Sequence, residues 1–152
     1  VDLNLNYPAE WEQARKNKFA LGFTGPAPRD YVGGSPLDQP ESAGMAGLPR
    51  LVDPRLTLSY HAQGEVIYWK FLDLTPVGAE EIGQKFAEVS GDALEDTPFA
   101  SGFAGYKDWF LARFHRPGFT IEAGLGENPL ELSQLPQLLL ENEPLLAAAL
   151  SL

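Results

Sequence analysis

Arg55-Leu56-Thr57-Leu58-Ser59-Tyr60-His61 is the stretch on which the reading of this chain turns. It follows Pro54 and mixes β-branched, aromatic and leucine residues over a strand-like length, so it predicts a strand with His61 at its C-terminal end. After the Gln63-Gly64 break, Val66-Ile67-Tyr68-Trp69-Lys70-Phe71 predicts a second strand. Thr75 as N-cap, Pro76 at the first helical position, and Ala79, Ile82, Phe86 and Val89 on one face then specify an amphipathic helix ending near Gly91. Upstream, residues 20–50 hold Gly25-Pro26-Ala27-Pro28 and Gly33-Gly34-Ser35-Pro36, which predict a long loop. Asp38 and Glu41 have capping-box spacing ahead of a helix that Gly44, Gly47 and Pro49 keep short. Downstream, residues 92–104 read as another loop, Tyr106 to Phe114 as a short helix stopping before Pro117-Gly118, and Phe119-Thr120-Ile121-Glu122 as a short strand. Leu132 to Leu150 is a leucine-rich helix, kinked or restarted at Pro136 and Pro144. Strands alternating with helices give an α/β layered fold, with no internal repeat.

The 152 residues, 44% hydrophobic and 21% charged, suffice for one globular core, and a single domain over 1–152 is expected. Eleven Lys and Arg against 21 Asp and Glu leave a net charge of −10 with no local basic cluster, which argues against nucleic acid and anionic lipid as partners. The absence of cysteine excludes a disulfide framework, a thiol nucleophile and thiolate metal sites. No run approaches the roughly 18 apolar residues that span a bilayer. A start at Val1 in a polar phrase, without a signal-like stretch, reads as a cut product and says nothing of where the parent protein is sent.

In an open α/β sheet, ligands gather outside the carboxyl ends of the strands, and His61 and Glu122 are both expected there, in one pocket. Taken bare, a lone histidine in Ser-Tyr-His is more often structural than catalytic. A carboxylate flanked by Ile121 and Ala123 should have its pKa raised by desolvation, which suits a general base near neutral pH.

The phrases themselves carry more. Val1-Asp2-Leu3-Asn4, Pro28-Arg29-Asp30-Tyr31, Ser59-Tyr60-His61, Gly105-Tyr106-Lys107-Asp108-Trp109-Phe110 and Phe119-Thr120-Ile121-Glu122-Ala123-Gly124, in this order, resemble the zinc carboxypeptidase family over nearly the whole chain. His61-x-Gln-Gly-Glu-x-Ile-Tyr-Trp, the phrase from Gly105 to Phe110, and Gly126-x-Asn-Pro-Leu-x-Leu-Ser-Gln134 resemble one branch, the γ-D-glutamyl-L-diamino acid endopeptidases that trim bacterial cell-wall peptides. The resemblance implies part of a mixed sheet flanked by helices, the C-terminal half of a peptidase catalytic domain, with zinc as cofactor and a peptidoglycan-derived peptide as substrate. It implies His61 as the third zinc ligand, Glu122 as the glutamate that activates the metal-bound water, and Asn4 as a residue that holds the substrate's terminal carboxylate. Arg29 and Lys107 are candidates for pairing with carboxylates of a diaminopimelate-type substrate.

Three departures qualify that expectation. No His-x-x-Glu pair occurs, and His115, between Arg113 and Arg116, is a poor substitute ligand for a dication. One histidine does not make a catalytic zinc site, which takes about three protein ligands, so the chain alone is expected to be inactive. Leu5 stands where carboxypeptidases carry an arginine, and Ala100 where they keep a mobile tyrosine, with Tyr106 and Phe99 the nearby candidates for that role. A non-catalytic module binding cell-wall peptides is the alternative from another class. Truncation would also expose apolar surface and sheet edges, through which the chain could self-associate. The cytoplasm is the expected compartment, with the cell envelope as the other.

Overall fold

The computed structural model describes all 152 residues. Strand β1 (Thr57–His61) is followed by β2 (Val66–Tyr68), β3 (Ala93–Glu95) and β4 (Gly118–Glu122), and the sheet order is β1-β4-β2-β3. β4 runs parallel to β1 and antiparallel to β2, and β2 runs parallel to β3, so the sheet is mixed. Six α-helices accompany it: α1 (Trp11–Ala20), α2 (Pro40–Gly47), α3 (Pro49–Val52), α4 (Ala79–Ser90), α5 (Tyr106–Phe114) and α6 (Leu135–Leu150). No helix is long and apolar enough to cross a membrane.

The two-residue period of β4 sorts its side chains between two cores. Phe119 and Ile121, both fully buried, join Ile67 of β2, Phe86 of α4 and Leu145 and Ala148 of α6. Phe86 meets Phe119 edge-on at 5.0 Å, and each such side chain contributes about 1.5–3 kcal/mol by leaving water. The other face of β4, with Gly118, Thr120 and Glu122, turns toward α5 and the amino-terminal segment. There Gly118 is required for close approach, since a Cβ would stand 2.7 Å from Leu111 Cδ1 and 3.0 Å from Thr57 Oγ1. A second core of Leu5, Tyr7, Trp11, Val32, Phe103, Trp109 and Phe110 joins the first residues, the long loop and α5.

Several local readings shift. The helix expected from Thr75 begins at Ala79, because Gly78 at φ 77° breaks the chain's direction just before it. Its buried face is Ala79, Gly83, Phe86 and Ser90, while Val89 is exposed; Gly91 at φ 89° ends it as expected. The Asp38–Glu41 capping box does not form. The N-cap of α2 is Gln39, and the Asp38 carboxylate instead accepts from Gly34 N (2.7 Å) and Asn6 Nδ2 (2.9 Å). Helix α1 and strand β3 stand where neither was expected. The second strand closes at Tyr68, short of Phe71.

Candidate active-site cleft

His61 is the last residue of β1 and Glu122 the last of β4, and the parallel register sets them directly opposite one another. Their side chains line one cleft, together with Asn4, Arg29, Tyr68, Lys107 and Thr120. Asn4 reaches it from a 3-10 turn, Leu3–Leu5, that Asp2 caps by accepting from Asn4 N at 3.2 Å. The Asn4 amide is oriented on both sides. Its Oδ1 accepts from Tyr106 N at 3.0 Å, which leaves Nδ2 to face His61 Nε2 at 3.4 Å. Burial pushes the Glu122 carboxyl above the ordinary glutamate range, and the His61 charge draws it partly back. The desolvation expected from its sequence neighbours is therefore present.

Three basic residues, Lys18, Arg29 and Lys107, line the cleft, and the last two each stand beside an acidic neighbour in sequence. At the floor, the Lys107 ammonium, nearly fully buried, donates to Lys70 O at 2.6 Å and to Thr97 Oγ1 at 3.0 Å. It also lies 2.6 Å from Asp108 Oδ1, a close ion pair whose alignment is not that of a hydrogen bond. At the rim, Arg29 Nε donates to Asp30 Oδ2 at 3.1 Å, and Lys18 of α1 donates to Asp30 Oδ1 at 2.5 Å. Burial alone would raise the Asp30 carboxyl, but the hydrogen bonds and charges of Lys18 and Arg29 outweigh it and hold the group below the usual range. Asp30 N in turn donates to Asp2 Oδ2 at 3.0 Å.

Tyr106 is placed otherwise than a substrate cap would be. Its ring packs against Tyr7 at 5.3 Å and Trp109 at 5.6 Å, and its link to the cleft is the backbone N–H on Asn4. Thr120, which sequence reasoning did not single out, faces Tyr68 in the β2–β4 register, and both line the cleft. The pairing of residues 52 positions apart was the missing signal. His115 caps the C-terminus of α5 at φ 54°.

A zinc ion calls for about three converging protein donors. No three His, Asp or Glu side chains of the chain converge as a cation site, and the Asp2 carboxylate is already bonded to backbone N–H groups of Asn4 and Asp30. The donor set of these residues does not by itself fit the metal.

No family model matches the chain. Over 134 residues, 88% of the chain, it is 45% identical to γ-D-glutamyl-L-diamino acid endopeptidase 1 of Lysinibacillus sphaericus, covering 32% of that protein. Over the same number of residues it is 37% identical to the uncharacterized protein YqgT of Bacillus subtilis (strain 168), covering 35% of it. The chain thus spans about a third of the length of the curated relatives it matches. Among solved structures, bovine thrombin-activatable fibrinolysis inhibitor, in complex with tick carboxypeptidase inhibitor, superposes with a TM-score of 0.69 at 17% identity, over 98% of this chain and 55% of that one. Carboxypeptidase A from Helicoverpa armigera gives 0.66 at 14% identity, over 98% and 41%. At such identities the likeness establishes the fold alone. The chain therefore has the carboxypeptidase fold and is a homologue of γ-D-glutamyl-L-diamino acid endopeptidase 1 over about a third of that protein's length.

Proposed function

We propose that the protein to which this chain belongs is a zinc metallopeptidase that hydrolyses the bond between a γ-linked D-glutamyl residue and a diamino acid in peptidoglycan-derived peptides. The observation that carries the reading is the pairing of His61 and Glu122 across adjacent parallel strands, in a chain 45% identical to an enzyme named for that bond. In this reading Glu122 accepts and returns a proton at its carboxylate, and burial, by raising its pKa, moves it in the direction a general base needs. His61 is one metal ligand, and the remaining donors come from residues outside these 152. Asn4 and Arg29 take the substrate's carboxylates, Arg29 at the rim, while Lys107, its ammonium directed at Lys70 O, Thr97 Oγ1 and Asp108, holds the floor.

The test uses the full-length protein and a γ-D-glutamyl-diaminopimelate peptide. Cleavage at that bond is expected, with Glu122→Gln slowing it by about 10²–10⁴-fold. The 152-residue chain is expected to bind zinc weakly and to cleave nothing. Tight zinc binding by the chain, lost in His61→Ala, would show that its donor set is complete after all. The incomplete donor set also favours a second reading, a non-catalytic module that holds the same peptide. Binding without cleavage by the full-length protein would decide for it.

A further inference from the structure

The cleft has two lobes, and they differ in chemistry. The inner lobe holds His61, Asn4 and Lys107. An outer lobe, lined by Gln63, Glu127 and Asn128 among others, lacks all three. Glu122, Tyr68, Ser101 and Arg29 line both lobes, so a substrate whose reacting bond lies at Glu122 extends into each, and Arg29 stands at the junction. Arg29 is the only cation of the outer lobe.

Arg29 is also pre-set. Its side chain is 80% exposed, yet its Nε is held on Asp30 Oδ2, and the two Nη groups make no hydrogen bond within the chain. Asp30 is far less free. Its carboxylate is mostly buried, its other oxygen is taken by Lys18, and its backbone N–H is fixed on Asp2. A guanidinium tethered at Nε and open at both Nη groups presents the planar fork that fits a carboxylate.

We propose that Arg29 is a specificity-determining residue that reads the free α-carboxylate of a γ-linked glutamyl residue, and that Asp30 positions it. The inference rests on the proposed function and deepens it. A residue joined through its γ-carboxyl keeps its α-carboxylate free, a few bonds from the scissile carbonyl. An α-linked acyl residue with a neutral side chain has no such group there, since its α-carboxyl is the scissile carbonyl itself. The one cation where the two lobes meet thus distinguishes, by charge, a γ-linked glutamyl residue from its α-amide and from acyl residues with neutral side chains.

The experiment compares two peptides on the full-length protein, γ-D-glutamyl-diaminopimelate and its γ-D-isoglutaminyl counterpart, in which only that α-carboxylate is an amide. Calorimetric Kd and, where cleavage occurs, KM and kcat are measured for each. The wild type is expected to prefer the carboxylate on the order of tenfold in Kd and KM, the scale of one charge-assisted contact, with little difference in kcat. Arg29→Ala should bring the ratio close to one, Arg29→Lys should keep part of it, and Asp30→Asn should reduce it without altering the substrate order. A ratio preserved in Arg29→Ala, or a loss equal for both peptides, would overturn the inference, as would a wild type blind to the amide. If the peptides bind with the expected ratio but are not cut, the peptidase reading fails while the assignment of Arg29 stands.

Discussion

The floor and the rim of the cleft hold the same motif, a basic residue followed by an acidic one, in opposite surroundings. Lys107-Asp108 is almost wholly out of water, with side chains 4% and 5% exposed. Arg29-Asp30 joins an 80% exposed guanidinium to a 17% exposed carboxylate. A buried pair leaves an uncompensated charge when it is broken, whereas an exposed partner is replaced by water. One motif therefore closes on itself at the floor and leaves a guanidinium open to solvent at the rim.

The sharpest way to break that contrast is at the floor. Lys107→Ala, which strands Asp108 and frees Lys70 O and Thr97, is expected to cost about 3–5 kcal/mol in denaturant unfolding. Asp30→Asn, which removes only the charge from a partly buried triad, is expected to cost about 1–2 kcal/mol at neutral pH. Because the Asp30 pKa is lowered on folding, its contribution is present above the unfolded-state pKa and is lost as pH falls through the folded-state one. Wild type and Asp30→Asn should therefore converge in acid, and a deficit independent of pH would mean that the ion pairs are not its source.

Asp92 sharpens the comparison from the other side, as a buried carboxylate without a cation. Its Oδ2 has no partner, and burial pushes its pKa up; the Ser90 hydroxyl draws it down, and the charges of Glu141 and Glu65 raise it further. A raised acid pKa gives a share of stability that is complete below the unfolded-state value and lost as pH rises through the folded-state one. Asp92→Asn should thus stabilise the chain by about 1 kcal/mol at neutral pH, with the gain shrinking in acid. Arg29→Ala is the smallest change, below about 0.5 kcal/mol in stability. A larger loss would mean that the rim is structural and the contrast false.

The parts of this site legible in the sequence were those where local chemistry and global fold agree. His61 and Glu122 were expected at strand ends because Pro54 and Pro117-Gly118 punctuate apolar runs, and α5 matches its expected span from Tyr106 to Phe114. Helix α1 was not legible, because only Trp11 and Ala14 are buried within ten mostly polar residues and tertiary contacts decide its state. Strand β3 is three residues at a sheet edge, too short for a period to show. Asp38 and Glu41 misled because a side-chain oxygen with capping-box spacing found better donors in Gly34 and Asn6, which no local pattern encodes. The roles of Lys107, Tyr106 and Asp30 depend on residues 10 to 102 positions away, and only the folded chain sets those distances.

Asp2 grips both ends of this arrangement with one carboxylate: one oxygen holds the turn that carries Asn4, the other the backbone of Asp30. The second residue of the chain is thus a fulcrum. The turn that presents Asn4 to His61 and the backbone beside Arg29 hang on a single carboxylate, so losing the Asp2 side chain would unmoor the mouth of the cleft and its chemical centre together.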